Sequence, residues 1–322
     1  MVKERIIGCI RKVWPVALKT SCWFLKIMLP VSFVVMLLTY FQVLPAVSAV
    51  VAPLFTRIGL PGDAALVFVT GIFTNIYTVI ALLSNMDFTV REGILLAMMC
   101  LISHNYPVET LVQKKTGSAG WKMVLPRFTC SFIAAAVLNL ILPEFAGRMI
   151  AQPSVDLGFR DTLFNWLQTS LWLSLKVVAL ITGLMILQRL LEEFGILKWI
   201  SSLLGPGMQL LGLPRQVAFL WVVGNTLGLA YGSAVLMDYA RQGKLTGTEA
   251  DLLNYHLAIS HSQLEDPLLF AVLGLPVVWL IVPRILLAFI VVWLKRLADF
   301  IFPAQAMALS QKISFFCYVY FN

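Results

Sequence analysis

The chain has 322 residues, 60% of them hydrophobic and only 12% charged, against about 25% charged in an ordinary soluble domain. It cannot clothe itself in a polar surface, which excludes a soluble globular fold and leaves an all-α polytopic membrane protein whose first partner is the lipid bilayer. The net charge of +8 is read first as a record of which loops stay in the cytoplasm, and no nucleic-acid partner is expected.

The chain opens at residues 1–20 on Lys3, Arg5, Arg11, Lys12 and Lys19 interleaved with Ile6, Ile7, Ile10, Val13 and Trp14. This stretch is too charged for a signal-peptide core and reads as a basic amphipathic helix on the membrane surface. Hydrophobic segments follow at about 27–43, 64–86, 93–112 and 121–143, several of them within uncharged runs that meet the requirement of ~20 apolar residues for crossing the hydrocarbon core. After a linker at 146–166 come four more, at about 169–188, 216–237, 248–264 and 277–294, and a tail at 301–322. The five cysteines are scattered, without CxxC spacing, so neither a disulfide framework nor a structural zinc site is expected.

The second set of segments copies the first. Ile102-Ser103-His104 recurs as Ile259-Ser260-His261, and Glu109 and Pro126-Arg127 return at the same offset as Asp266 and Pro283-Arg284. Gly59-Leu60-Pro61 reappears as Gly212-Leu213-Pro214, and Gly71 as Gly224. The repeats are placed at 21–145 and 167–300. Such a unit is too long for a solenoid repeat of roughly 20–50 residues and suits the paired halves of a membrane transporter.

Charge decides how the copies are oriented. If all eight segments cross, 13 Lys/Arg fall inside and 7 outside, leaving aside Lys26, Arg127, Lys176 and Arg284 as embedded or interfacial. If the second segment of each half dips in and returns, the copies are inverted and the count becomes 16 to 4. The positive-inside bias favours inverted repeats. Thr70, Gly71, Thr74 and Asn75, and Gly224, Asn225, Thr226 and Gly228, place small and polar residues midway along these two segments. Such residues suit a hairpin tip, because broken backbone at membrane depth must be buried in protein or line a wet cavity. The alternative is close packing of continuous helices through small residues.

Intramembrane ionisable groups cost about 2.5–3.5 kcal/mol on insertion scales and are kept for pairing or function. One set is His104, Asn105 and Glu109 with His261, Gln263, Glu265 and Asp266. His261 and Glu265 are expected to share a helix face, and Pro107 is expected to break the first-copy helix. This set suits a small polar solute or, as a subordinate reading, a divalent cation; the alternative is a histidine capped by its own helix end. The other set is Arg127 and Arg284, which suit pairing with the carboxylates of the first set or holding an anionic substrate; against this stands snorkelling to the interface, the expectation for Arg127, while a buried partner is the expectation for Arg284. His104→Ala and His261→Ala are expected to weaken binding and flatten its pH dependence, whereas His256→Ala, opposite Met99 in the first copy, is expected to do little to either. No Gly-x-x-x-x-Gly-Lys loop, His-Glu-x-x-His or Gly-x-Ser-x-Gly occurs, so neither enzymatic activity nor a cofactor is expected.

The order of basic helix, hydrophobic helix, Gly-Leu-Pro, Gly-bearing broken segment and final Pro-Arg helix, given twice, resembles the nucleoside recognition or Gate domain. Spore maturation proteins A and B share that domain with the membrane part of ferrous iron transport protein B and, more distantly, with concentrative nucleoside transporters. The resemblance covers about 18–145 and 167–300 and implies inverted repeats with helical hairpins and a solute site at the repeat interface. It implies a permease of the cytoplasmic membrane, acting as a homo-oligomer or with a paralogous Gate-domain partner. The alternative is a membrane scaffold or maturation factor that uses the fold without moving anything.

Overall fold

The computed structural model describes residues 2–41, 52–145, 147–149, 158–228, 235–239 and 242–302. Most of the predicted tail, half of the predicted linker and residues 44–51 lie outside the described residues. Among those described, the regular elements are helices, with one isolated bridge between Thr89 and Arg148. Four stretches are long and apolar enough to cross a membrane: Val90–Lys115, Gly120–Ile141, Phe159–Glu193 and Val278–Ile301. The chain is therefore a polytopic, all-α membrane protein.

The first helix, α1 (Val2–Tyr40), runs without interruption from the basic residues through the first hydrophobic segment, past Pro15 and Pro30. No helix boundary falls at residue 20. A proline inside a helix costs about 3 kcal/mol, and non-local packing offsets that cost here. Short α2 (Ala52–Thr56) follows, then α3 (Ala64–Phe73) and α4 (Ile76–Leu83), which together form the predicted second segment. The interruption at Thr74 and Asn75 has a local cause. Thr74 Oγ1 donates to the Thr70 carbonyl, and Asn75 Oδ1 accepts from the amides of Tyr77 and Thr78, making it the N-cap of α4. Such a cap satisfies amides that a helix start leaves open.

Next come α5 (Val90–Ser103), α6 (Tyr106–Lys115), α7 (Gly120–Ile141), α8 (Phe159–Glu193) and α9 (Ile196–Leu204). They are followed by α10 (Ala218–Thr226), α11 (Gly247–Ser260), α12 (Glu265–Ala271) and α13 (Val278–Ile301). The first-copy break comes at His104 and Asn105, ahead of Pro107. Asn105 takes a left-handed φ of 51°, and Pro107 sits in the first turn of α6, where a missing amide hydrogen breaks no helical bond. The second copy breaks at the matching place, with Ser262 at φ 53°. His261 and Glu265 consequently stand on different helices and share no face, because the left-handed residue ends α11 between them.

The chain forms two compact units. One comprises Met1–Asn105, Ser131–Phe194 and Asp266–Leu280; the other Tyr106–Cys130, Gly195–Glu265 and Ile281–Asn322. Each unit draws on both sequence copies. In the first, α1 and α8 pack antiparallel: Arg5 bonds Glu193 at one end (3.1 Å) and Tyr40 meets Phe159 at the other (5.4 Å between rings). Between them Ser32 Oγ accepts from Trp166 Nε1 (2.9 Å) and Asn85 Nδ2 (2.7 Å). In the second unit α9 and α11 pack against α10.

The copies agree in local detail. Thr89 with Glu92 and Thr246 with Glu249 form capping boxes at the starts of α5 and α11, both 14 residues long. Gly59 and Gly212 both take φ above +70°, a conformation that suits glycine. A side chain at Gly59 would overlap Asn139, and a Cβ at Gly212 would lie 2.9 Å from Val292 Cγ1. Each Gly-Leu-Pro is thus a turn seated on the final helix of its copy.

The 16 to 4 charge distribution is tested by labelling. A cysteine introduced at Gly117 is expected to react only from the cytoplasmic side, and one at Ser154, outside the described residues, only from the opposite side. Reaction at Gly117 from outside removes the inverted arrangement.

Candidate functional site

The two histidines are held alike because the sequence around them folds alike. Each is the C-cap of its helix, and its Nδ1 lies within hydrogen-bond distance of the carbonyl four residues earlier. The contacts are 2.9 Å from His104 to Cys100 and 2.8 Å from His261 to Leu257. A carbonyl only accepts, so Nδ1 carries the proton in both rings and Nε2 points onward. The left-handed residue that follows turns the chain back onto the broken segment. Asn105 N–H donates to the Gly71 carbonyl (2.9 Å), Ser262 N–H to the Gly224 carbonyl (3.1 Å) and Leu264 N–H to the Asn225 carbonyl (3.1 Å). The carbonyls freed where α3 and α10 stop are thus taken up by the turn after each histidine.

Within the first unit, His104 Nε2 lies 3.7 Å from Asp266 Oδ2, both residues buried. Thr70, Thr74 and Asn75 shape the break beside them, and the hydrogen bonds of Thr74 and Asn75 go to nearby backbone. Within the second unit, His261 Nε2 lies 3.1 Å from Glu109 Oε1, whose other oxygen pairs with Arg127 at 2.8 Å. Both nitrogens of His261 therefore face oxygen atoms, Nδ1 the Leu257 carbonyl and Nε2 the Glu109 carboxylate. Arg127 does not snorkel. It is fully buried, paired with Glu109 and placed over the Tyr106 ring at 4.7 Å, because desolvation makes a buried partner worth more than the reach to water. Arg284 is also fully buried; its Nε and Nη2 donate to the Ile259 and His261 carbonyls (3.0 and 2.8 Å). A cation there suits the negative end of the α11 dipole.

Two amides at the second tip stand out. Gln263 is buried and neither side-chain atom has a hydrogen-bond partner among the described residues; the same holds for Asn225 Oδ1. Asn225 Nδ2 donates to the Trp221 carbonyl, Thr226 Oγ1 to the Val222 carbonyl, and Gly228 takes φ 81°. Glu265 opens α12 half-buried.

Residues 22–115 match the family model described as nucleoside recognition, or Gate. The uncharacterized membrane protein YvoD of Bacillus subtilis (strain 168) is 30% identical over 267 residues, which is 81% of this chain and 85% of that protein. The chain belongs to the nucleoside-recognition family. The match to the nucleoside-recognition model takes in Thr70, Gly71, Thr74, Asn75, His104, Asn105 and Glu109. No solved structure matches.

The packing of several buried polar residues escaped the sequence reading. His256 is fully buried, and its Nδ1 lies 3.1 Å from Trp221 Nε1 and 2.7 Å from Ser260 Oγ. His256→Ala leaves a cavity and an indole N–H without its acceptor, and is expected to cost about 2–4 kcal/mol. Thermal unfolding of purified protein checks this; an unchanged midpoint refutes it. Asp251 and Asn254 were also missed, and comparison of the copies is the signal that exposes them, since Ile94 and Ala97 stand opposite.

Proposed function

We propose that this protein is a permease of the cytoplasmic membrane that moves a small polar solute, with a nucleoside as the first candidate. The observation that carries the reading is the repeated turn. In each copy a helix stops within an apolar segment, and its freed carbonyl is bonded by the residue just after a buried histidine. Broken helices with polar side chains at membrane depth are the means by which secondary transporters hold solutes. Family membership supports this direction, and the re-entrant arrangement of the broken segments belongs to the same proposal.

In this reading the second unit offers a solute the unpartnered Gln263 amide, Asn225 Oδ1 and the His261 imidazole, and the first unit, taken by itself, offers its tip at Gly71 and His104. Uptake by proteoliposomes of a panel of nucleosides and other small polar solutes tests it. Accumulation that falls in Gln263→Leu, with insertion unchanged, is the expected result. No accumulation of any solute from protein that is folded and inserted favours a scaffold that acts through a partner.

A further inference from the structure

Three buried amides of the second unit hold hydrogen-bonding atoms that no described residue meets: both side-chain atoms of Gln113, both of Gln263, and Asn225 Oδ1. An amide taken out of water without partners is destabilising, whereas an apolar side chain of similar size in the same place is not. The other copy supplies that comparison. At the offset of the histidines, Phe270 stands opposite Gln113 and Tyr106 opposite Gln263, and Ile72 follows Gly71 as Asn225 follows Gly224. Phe270 is fully buried, so the repeated fold accepts an apolar residue at the position of Gln113.

The three amides lie along one connected path. Tyr106, Glu109 and Gln113 are the buried face of α6, which sets Gln113 one helical turn from Glu109. Glu109 Oε1 lies 3.1 Å from His261 Nε2. On either side of Gln263, Ser262 N–H bonds the Gly224 carbonyl and Leu264 N–H bonds the Asn225 carbonyl. The carboxylate on this path is already matched, since Glu109 pairs with Arg127 at 2.8 Å and stands against His261. What remains open is neutral: a donor at Nε2 and an acceptor at Oε1 of each glutamine, and an acceptor at Asn225 Oδ1.

We propose that Gln113 is a specificity-determining residue of the solute site in the second unit. With Gln263 and Asn225 it selects an uncharged group that carries a hydrogen-bond donor and an acceptor side by side, as a carboxamide or a cyclic amide does. This rests on the transport reading above and adds to it α6 and the class of group recognised. A glutamine amide meets such a group with two bonds, its N–H donating to the ligand's carbonyl and its oxygen accepting from the ligand's N–H. A cation finds nothing comparable, because the Glu109 carboxylate is held by Arg127 and the amides bring no charge.

Thermal unfolding of the purified full chain, with and without uracil or nicotinamide, tests the site apart from transport. At least one of the two is expected to raise the midpoint of the unsubstituted protein. In Gln113→Leu the ligand-free midpoint should be equal or higher, because an unmet amide has been removed, while the ligand's effect is lost or needs about tenfold more ligand. A glutamine with only a structural role gives the reverse, a lower midpoint with the ligand's effect intact. Gln113→Met takes its place if the leucine variant does not fold. Uracil and nicotinamide both without effect overturn the proposal, and so does an effect that persists undiminished in Gln113→Leu. Stabilisation by manganese chloride that Gln113→Leu abolishes also overturns it and reassigns the site to a cation. Ligand stabilisation lost in Gln113→Leu, without uptake of any solute by the unsubstituted protein, retains the recognition site and removes the transport reading. Uptake unaffected by Gln113→Leu retains transport and removes Gln113 from the site.

Discussion

Glu109→Ala is expected to lower the stability of the protein by about 3–5 kcal/mol, because removing one partner of a buried ion pair leaves the other charge uncompensated. The stranded group is Arg127, fully buried, whose Nη2 lies 2.8 Å from Glu109 Oε2. His261 loses its 3.1 Å contact at the same time, so the turn beside Gly224 loosens with it. The double variant Glu109→Ala/Arg127→Met removes both charges and is expected to recover most of the loss, since the two residues interact directly and their effects do not add. Thermal unfolding in detergent provides the comparison. Equal midpoints for the single and double variants would mean that the pair does not hold this region.

The second large effect is expected at the tips. A Cβ at Gly71 would lie 2.9 Å from Val79 Cγ2, and one at Gly224 would lie 2.9 Å from both Cδ atoms of Leu257. Each glycine also presents the carbonyl that receives the turn after the histidine, so a leucine displaces the histidine along with the tip. Overpacking of this kind costs about 1–3 kcal/mol, or about a five- to 150-fold loss of the native tip. Gly71→Leu and Gly224→Leu should therefore abolish uptake while the protein still inserts and purifies. Uptake retained in both would mean that these glycines only pack helices, and would remove the tips from the site.

The histidines, the tip glycines and the two arginines stand out in the sequence because they are repeated, and repetition in an apolar chain marks residues that could have been replaced at lower cost; the burial of Arg127 is what the sequence did not show. The strongest local signal for a break in the first copy is Pro107. The break falls instead at His104 and Asn105, since the cap bond from His104 to Cys100 and the bond from Asn105 to Gly71 outweigh what proline does in the first turn of a helix. The same left-handed turn separates His261 from Glu265. The sequence of α1 suggested two pieces because charge and apolarity change at residue 20, yet α1 packs along α8 from Arg5 to Tyr40 and stays whole.

From the sequence alone came the membrane class, the duplication, the presence of breaks in the second segments and the family resemblance. These depend on composition, on local backbone preference and on comparison of the chain with itself. Only the tertiary structure decided that Arg127 pairs with Glu109, that His256 is bonded to Trp221, and that Asp251 meets Ser118 and Lys295. The partner of a buried side chain is set by which distant segment approaches it, and in a low-dielectric interior that approach determines whether a charge is tolerated.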